Sequence, residues 1–245
     1  MMAYILAENL KNKRSFVKKL LFIAPLIVVI QSFILMPSYF TINSYNWWYT
    51  IVLPATISLI AGLINLKDDK KLKYKAIFPL DIDLKKIWIS KIIIIIIYVA
   101  IALVIHMILT FVMQGFVGQV TGSYGFRDLL LASLLLLFAN IWQIPLCLFL
   151  VKKIGFVGGV VINSILAIGL GIGFADNSLW LLVPYSYGLR LMIPAMKILP
   201  NGLLIEPNNP IIANTSILIP IVISFVLFII LTIITARYFA NLEVK

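Results

Sequence analysis

The chain has 245 residues, of which 62% are hydrophobic, and a mean hydropathy of +1.10. A soluble domain has ~45–50% apolar residues, and apolar runs of about 20 residues, each able to cross ~30 Å of hydrocarbon as a helix, recur here. The chain therefore reads as one all-α integral membrane domain over 1–245, with no separate soluble domain. The net charge of +11 does not point to nucleic acid, because the charges flank apolar spans.

Residues 1–19 read as an N-terminal interfacial helix. Glu8, Lys11, Asn12, Ser15, Lys18 and Lys19 make a polar stripe at three- and four-residue spacing, with Ala3, Leu6, Leu10 and Val17 towards the other side. A disordered basic tail is the alternative. The apolar run that follows is longer than a signal-peptide core and lacks a small-residue cleavage site. Span 1 covers 20–40 and contains Pro25 and Pro37. A short uncharged turn, Thr41–Asn46, leads to Trp47, Trp48 and Tyr49, which suit headgroup depth, and to span 2 over 47–66.

Residues 66–91 are the most charged stretch, with 8 of the 20 Lys+Arg and 4 of the 9 Asp+Glu. Asp68 and Asp69 precede a lysine-rich run, which suits the dipole of a short amphipathic helix carrying Leu72, Ala76, Ile77 and Phe78 and ending at Pro79. Asp81 or Asp83 is placed to cap the next helix. Span 3 follows over 91–112 and contains His106. A glycine-rich loop precedes span 4, 129–151, with Asn140, Gln143 and Pro145. Lys152 and Lys153 separate it from span 5, 154–175, whose Gly155, Gly159, Gly169 and Gly173 form two small-xxx-small pairs. The proline-broken stretch from Asp176 to Pro210 reads as external interfacial or re-entrant pieces. Span 6 covers 211–236.

Six spans with both termini in the cytosol place 17 Lys+Arg inside and only Arg127, Arg190 and Lys197 outside, as the positive-inside rule expects. No P-loop, zinc-protease or serine-hydrolase motif occurs. The single cysteine, Cys147, excludes an internal disulfide and a cysteine-built metal site, and the lone His106 argues against a histidine-rich one. The chain thus reads as neither a metalloprotein nor an enzyme. His106, Asn140, Gln143 and Asn163 are the polar groups deep within the spans. They either line a substrate surface or bond helix to helix.

Several segments resemble ABC-2-type transporter permeases, and within them the lantibiotic-immunity permeases. These are the start at Ala7–Ser15 with Ile23-Ala24-Pro25-Leu26, then Trp47-Trp48 with Leu53-Pro54. Trp142-Gln143-Ile144-Pro145-Leu146-Cys147 follows, and so does the external run from Tyr185 to Gly202. The resemblance covers nearly the whole chain. Where that family often has Glu at the exit of span 2, this chain has Asp68 and Asp69.

The resemblance implies an elbow helix over 1–19, a coupling helix at about Asp69–Phe78, and six spans in a bacterial, Gram-positive plasma membrane. It implies a second, non-identical six-span permease and an ABC ATPase dimer that carries the ATP and Mg, with no cofactor in this chain. The coupling residues would be Asp68, Asp69, Leu72, Lys73, Ile77 and Phe78. The expected cargo is a lantibiotic or similar cationic peptide expelled from the membrane to protect the cell, with His106, Asn140, Gln143, Asn163, Trp180 and Tyr185 along its route. Export of a lipid, polysaccharide or small drug is the alternative, and a membrane enzyme or a structural membrane protein a further one.

Overall fold

Apolar helices dominate the computed structural model, which describes residues 1–72, 82–117, 121–206, 209–212 and 214–242, without the side chains of 69–72. In chain order they are α1 Met2–Lys11, α2 Phe16–Leu35, α3 Phe40–Trp47, α4 Leu53–Leu72, α5 Leu84–Gln114, α6 Phe126–Asn140, α7 Gln143–Ala175, α8 Tyr187–Met196 and α9 Leu218–Ala240. Among the described residues there is no strand, only an isolated bridge between Ile198 and Leu204. Five helical stretches are long and apolar enough to cross a membrane: Phe16–Leu35, Pro37–Asp68, Leu84–Gln114, Gln143–Ala175 and Leu218–Ala240. The protein is an all-α, multi-pass membrane protein.

Local chemistry sets the element boundaries, and several differ from expectation; the last long helix, expected over 211–236, is Leu218–Ala240, and the first ends at Leu35 rather than 40. The expected elbow over 1–19 is two elements. α1 ends at Lys11, and Ser15 caps α2 by accepting from the Val17 N–H at 3.1 Å, so the first long helix starts at Phe16. Residues 41–46, expected as a turn, lie in α3. They continue into the apolar helix that follows, and α3 runs through a π-helical turn at Trp48–Val52 into α4. That wider turn brings three consecutive side chains, Trp48, Tyr49 and Thr50, into the interior. α4 continues to Leu72, so Asp69 and Leu72 belong to its last turn rather than to a separate short helix. At the other stem Asp83 caps α5, its Oδ1 accepting from the N–H groups of Lys85 and Lys86. These bonds hold the Asp83 carboxyl below its usual range, with the Lys86 backbone N–H contributing most.

α7 has 33 residues, which would span about 50 Å if straight. It is instead a hairpin. Gly155 has φ 84° and ψ 169°, a conformation essentially confined to glycine, and the chain reverses there. Asn163 Nδ2 consequently lies 3.4 Å from Gln143 Oε1, twenty positions earlier. Gly159 sits against the Val151 backbone so closely that a Cβ would lie 2.7 Å from its nitrogen. The first arm continues the line of α6. The interruption at Ile141 and Trp142 coincides with Pro145, which has no N–H for the Ile141 carbonyl, and that carbonyl accepts from Ile144 at 3.2 Å instead. Gly155 is thus a reversal point rather than a packing glycine. Gly159 is a packing glycine, and Gly169 and Gly173 meet nothing within 4 Å.

The second arm of α7 runs antiparallel to α4. Phe156 packs on Gly62, and Asn163 reaches the Pro54 carbonyl. The α4 and α5 stems that flank residues 73–81 therefore lie at one end of the bundle, and the C-terminus of α7 lies at the other. α9 returns to the stem end, where Trp88 Nε1 donates to Thr235 and its ring stacks on Phe239.

The stretch after α7 turns back into the protein. Every residue of α8 from Tyr187 to Ile193 is buried, against α6 and α7. The outside of the bundle is apolar, as a membrane solvent allows. Leu218, Val222, Val226, Ile229 and Ile233 of α9 are exposed while Asn163 and Ser224 are buried.

The reversal at Gly155 yields a direct test. Gly155→Ala should destabilise the purified protein by about 1–3 kcal/mol, because the backbone conformation is closed to side chains. Gly169→Ala, helical and facing open space, should be neutral or stabilising by up to about 1 kcal/mol. Thermal unfolding midpoints in one detergent decide it, and equal midpoints for the two variants would refute the hairpin.

Candidate functional site

Two linked polar clusters stand out among the described residues of a largely apolar bundle. The first is at the stem end. α1 turns its polar stripe towards the protein and its apolar side outwards: Glu8 and Asn12 are buried while Met2, Leu6 and Leu10 are exposed. Lys91, one turn into the apolar part of α5, is 0% exposed. An isolated ammonium there would be very costly. It is compensated by Asp68 at the end of α4, with which it makes a short ion pair, and by Glu8 of α1 at 3.7 Å. Lys11 closes the ring, 2.6 Å from Glu8 and 3.3 Å from Asp68. Burial pulls the Lys11 pKa down, but the two carboxylates outweigh it and hold the value above that of a free lysine.

Further bonds fix the docking of α1. Tyr98 of α5 donates to Asn9 at 2.8 Å, and the backbone N–H of Asp83 donates to Tyr4. Lys67 of α4 donates to the Lys11 carbonyl. One short helix is thereby bonded to both stems of the charged segment. Of the residues expected to couple to an ATPase, Asp68 is the structural centre of this cluster. Asp69 and Leu72 lie in the last turn of α4, and Lys73, Ile77 and Phe78 lie outside the described residues.

The second cluster is deep in the bundle and unites four of the six residues expected along a substrate route. Gln143 Nε2 donates to Asn140 Oδ1 at 2.6 Å. Asn163 Nδ2 donates to the Pro54 carbonyl at 3.1 Å and lies 3.4 Å from Gln143 Oε1. Tyr185 donates to Asn163 Oδ1 at 3.0 Å, and its ring meets Trp142 edge-on. The chain of bonds links α6, both arms of α7, the start of α4 and the re-entrant segment. Each of these donors has an acceptor, so the arrangement ties helices together, the second of the two uses such groups have at membrane depth.

His106 lies apart. Its Nε2 is 3.0 Å from Ser44 Oγ, which also meets Thr110, and its ring stacks on Trp48 at 4.6 Å. It ties α5 to α3. Trp180 is also separate: its ring carries the Arg190 guanidinium, 5.2 Å from its centroid, and meets Tyr187 edge-on.

Glu8 and Lys91 were not legible as site residues. Lys91 looks like a headgroup-level flank of span 3 and Glu8 like part of a solvated stripe. The available signal was the coincidence of two acids, Glu8 and Asp68, with the last lysine before six isoleucines. Compared with models of known protein families, with characterised proteins and with solved structures, the chain matches none.

Removing one partner of a buried ion pair costs about 3–5 kcal/mol, because the other charge stays buried. Asp68→Asn and Lys91→Met should each lose stability in that range. The double variant should lose less than the sum by at least about 1 kcal/mol. Chemical unfolding of the four proteins measures this, and strict additivity would mean the two charges do not interact. Lys11 adds a pH dependence. Its folded pKa is raised, so its contribution is complete below the ordinary value of 10.5 and lost only as pH rises through the higher folded value.

Proposed function

We propose that this chain is a permease subunit of an ABC exporter, driven by a separate ATPase. Its expected cargo is a lantibiotic or similar cationic peptide cleared from the cell membrane. The observation that carries this reading is the docking of α1 onto both stems of the charged 73–81 segment through Glu8, Lys11, Asp68 and Lys91. A segment mounted on a charge-locked base can pass a push from a soluble partner into α4 and α5 together. The sequence resemblance supplies the identity of that partner, and the absence of a P-loop motif from the sequence agrees with an external ATP site.

Six crossings follow if α2, the continuous α3–α4, α5, α6 with the first arm of α7, the second arm of α7, and α9 each traverse once. The stem end then faces the cytosol together with both termini and Lys152–Lys153, in agreement with the charge bias. The re-entrant segment between α7 and α9 faces outwards. Trp180 and Tyr185 lie on it, beside the route by which a cationic peptide would return to the medium.

Two experiments bear on separate parts of this reading. Replacing Ile77 and Phe78 with Asp should abolish co-purification of the partner ATPase, while membrane insertion is unchanged. Undiminished co-purification and activity would remove the coupling role. In a Cys147→Ser background, single cysteines at Ser123 and Asn208 should react with an impermeant maleimide from outside the cell, and one at Lys73 should not. External labelling of Lys73 would invert the topology.

A further inference from the structure

At the end opposite the stems, a cavity of about 550 Å3 opens between the C-terminus of α7, the turn at Trp180–Leu182 and the approach to α9. Asn177, Ser178, Asn209 and Asn214 make its wall polar, and Asp176 and Arg190 bring one charge of each sign. Its size is that of a small-ligand site.

Arg190 is the unusual member. It projects from α8 and is only 4% exposed. Its Nη1 donates to the Ala175 carbonyl at 2.8 Å, its Nε donates to Thr215 at 3.0 Å, and its plane lies over Trp180. These contacts aim the guanidinium without neutralising it. Among the described residues no carboxylate lies within 4.0 Å of it. Asp176 acts on it only through its field, although both line the cavity. A buried cation ordinarily has an anionic partner. Here the bonds to Ala175 and Thr215 leave further N–H groups of the fork, in a geometry that matches the oxygens of a phosphate.

The surroundings indicate where that phosphate comes from. Leu179 and Leu182, on the same turn as Trp180, are exposed at 51% and 76%, and Leu218 at the start of α9 at 71%. Exposed leucines beside a polar cavity wall, at the end of a membrane helix, mark the level where headgroups meet acyl chains, and the buried Trp180 holds Arg190 at that level. We propose that this cavity binds the headgroup of a zwitterionic phospholipid. The phosphodiester sits on Arg190, the ammonium is directed to Asp176, and the acyl chains run along the leucines. The proposal does not depend on the transport reading.

The test uses the full chain, purified and delipidated in detergent, with binding followed by native mass spectrometry. The probes are dioleoyl phosphatidylethanolamine, dioleoylglycerol and inorganic phosphate. The wild type should retain phosphatidylethanolamine and not dioleoylglycerol. Arg190→Gln should weaken retention at least tenfold. Asn214→Asp, which sets a carboxylate on the cavity wall and leaves every Arg190 contact in place, should do the same in a protein with the wild-type unfolding midpoint. Asp176→Asn should weaken it several-fold. Equal retention by wild type, Arg190→Gln and Asn214→Asp, or retention of dioleoylglycerol as strongly as of the phospholipid, would overturn the assignment. Binding of inorganic phosphate without the phospholipid would overturn the lipid headgroup in favour of a free oxyanion.

Discussion

The Lys91 ammonium, held without solvent between Asp68 and Glu8, is the constraint on which the stem end depends. Lysine at the start of an apolar helix normally extends to the headgroups. Here its outward path is closed by α1, so compensation must come from protein. The carboxylates come from two different elements, which makes the position of α1 a condition of burying Lys91. The ring is balanced, two ammoniums against two carboxylates, and loss of any member leaves a charge in a poorly polarisable place. α1, α4 and α5 therefore behave as one unit where they meet.

The same economy governs the middle of the bundle. In hydrocarbon a polar group has no water to fall back on, so side-chain amides are useful as fixed bonds between helices. Asn163 uses its two ends on different elements, donating to Pro54 of α4 and accepting from Tyr185. The Pro54 carbonyl, just beyond the π-helical turn at Trp48–Val52, takes both the Asn163 amide and the Ser58 hydroxyl.

Much of this was legible from residue pattern. The long helices, the asparagine–glutamine level inside them and a cap at one of the two aspartates before α5 follow from hydropathy and capping chemistry. The misread parts have a common cause. A polar stripe on an amphipathic helix looks the same whether it meets water or a buried lysine, so α1 was assigned to the headgroups alone. A glycine looks the same whether it permits close packing or reversal, so the φ of 84° at Gly155 could not be told from the packing role of Gly159. Residues 41–46 carry no strong helix signal of their own, and their helicity follows from the neighbours they join.

The two ends of the bundle differ in how charge is settled. At the stem end every buried charge described has an opposite charge within ion-pair distance, and α1 locks them in place. At the far end Arg190 is buried and aimed, yet its nearest compensation is a field from Asp176 and the dipoles of Ala175 and Thr215. A protein that needed only to close that end could have used an apolar side chain, as it did at Leu189 and Leu191 on either side. Keeping a guanidinium there is costly unless something anionic arrives. Among the described residues, the stem end thus settles its buried charges within the chain, and the far end leaves Arg190 without an ionic partner.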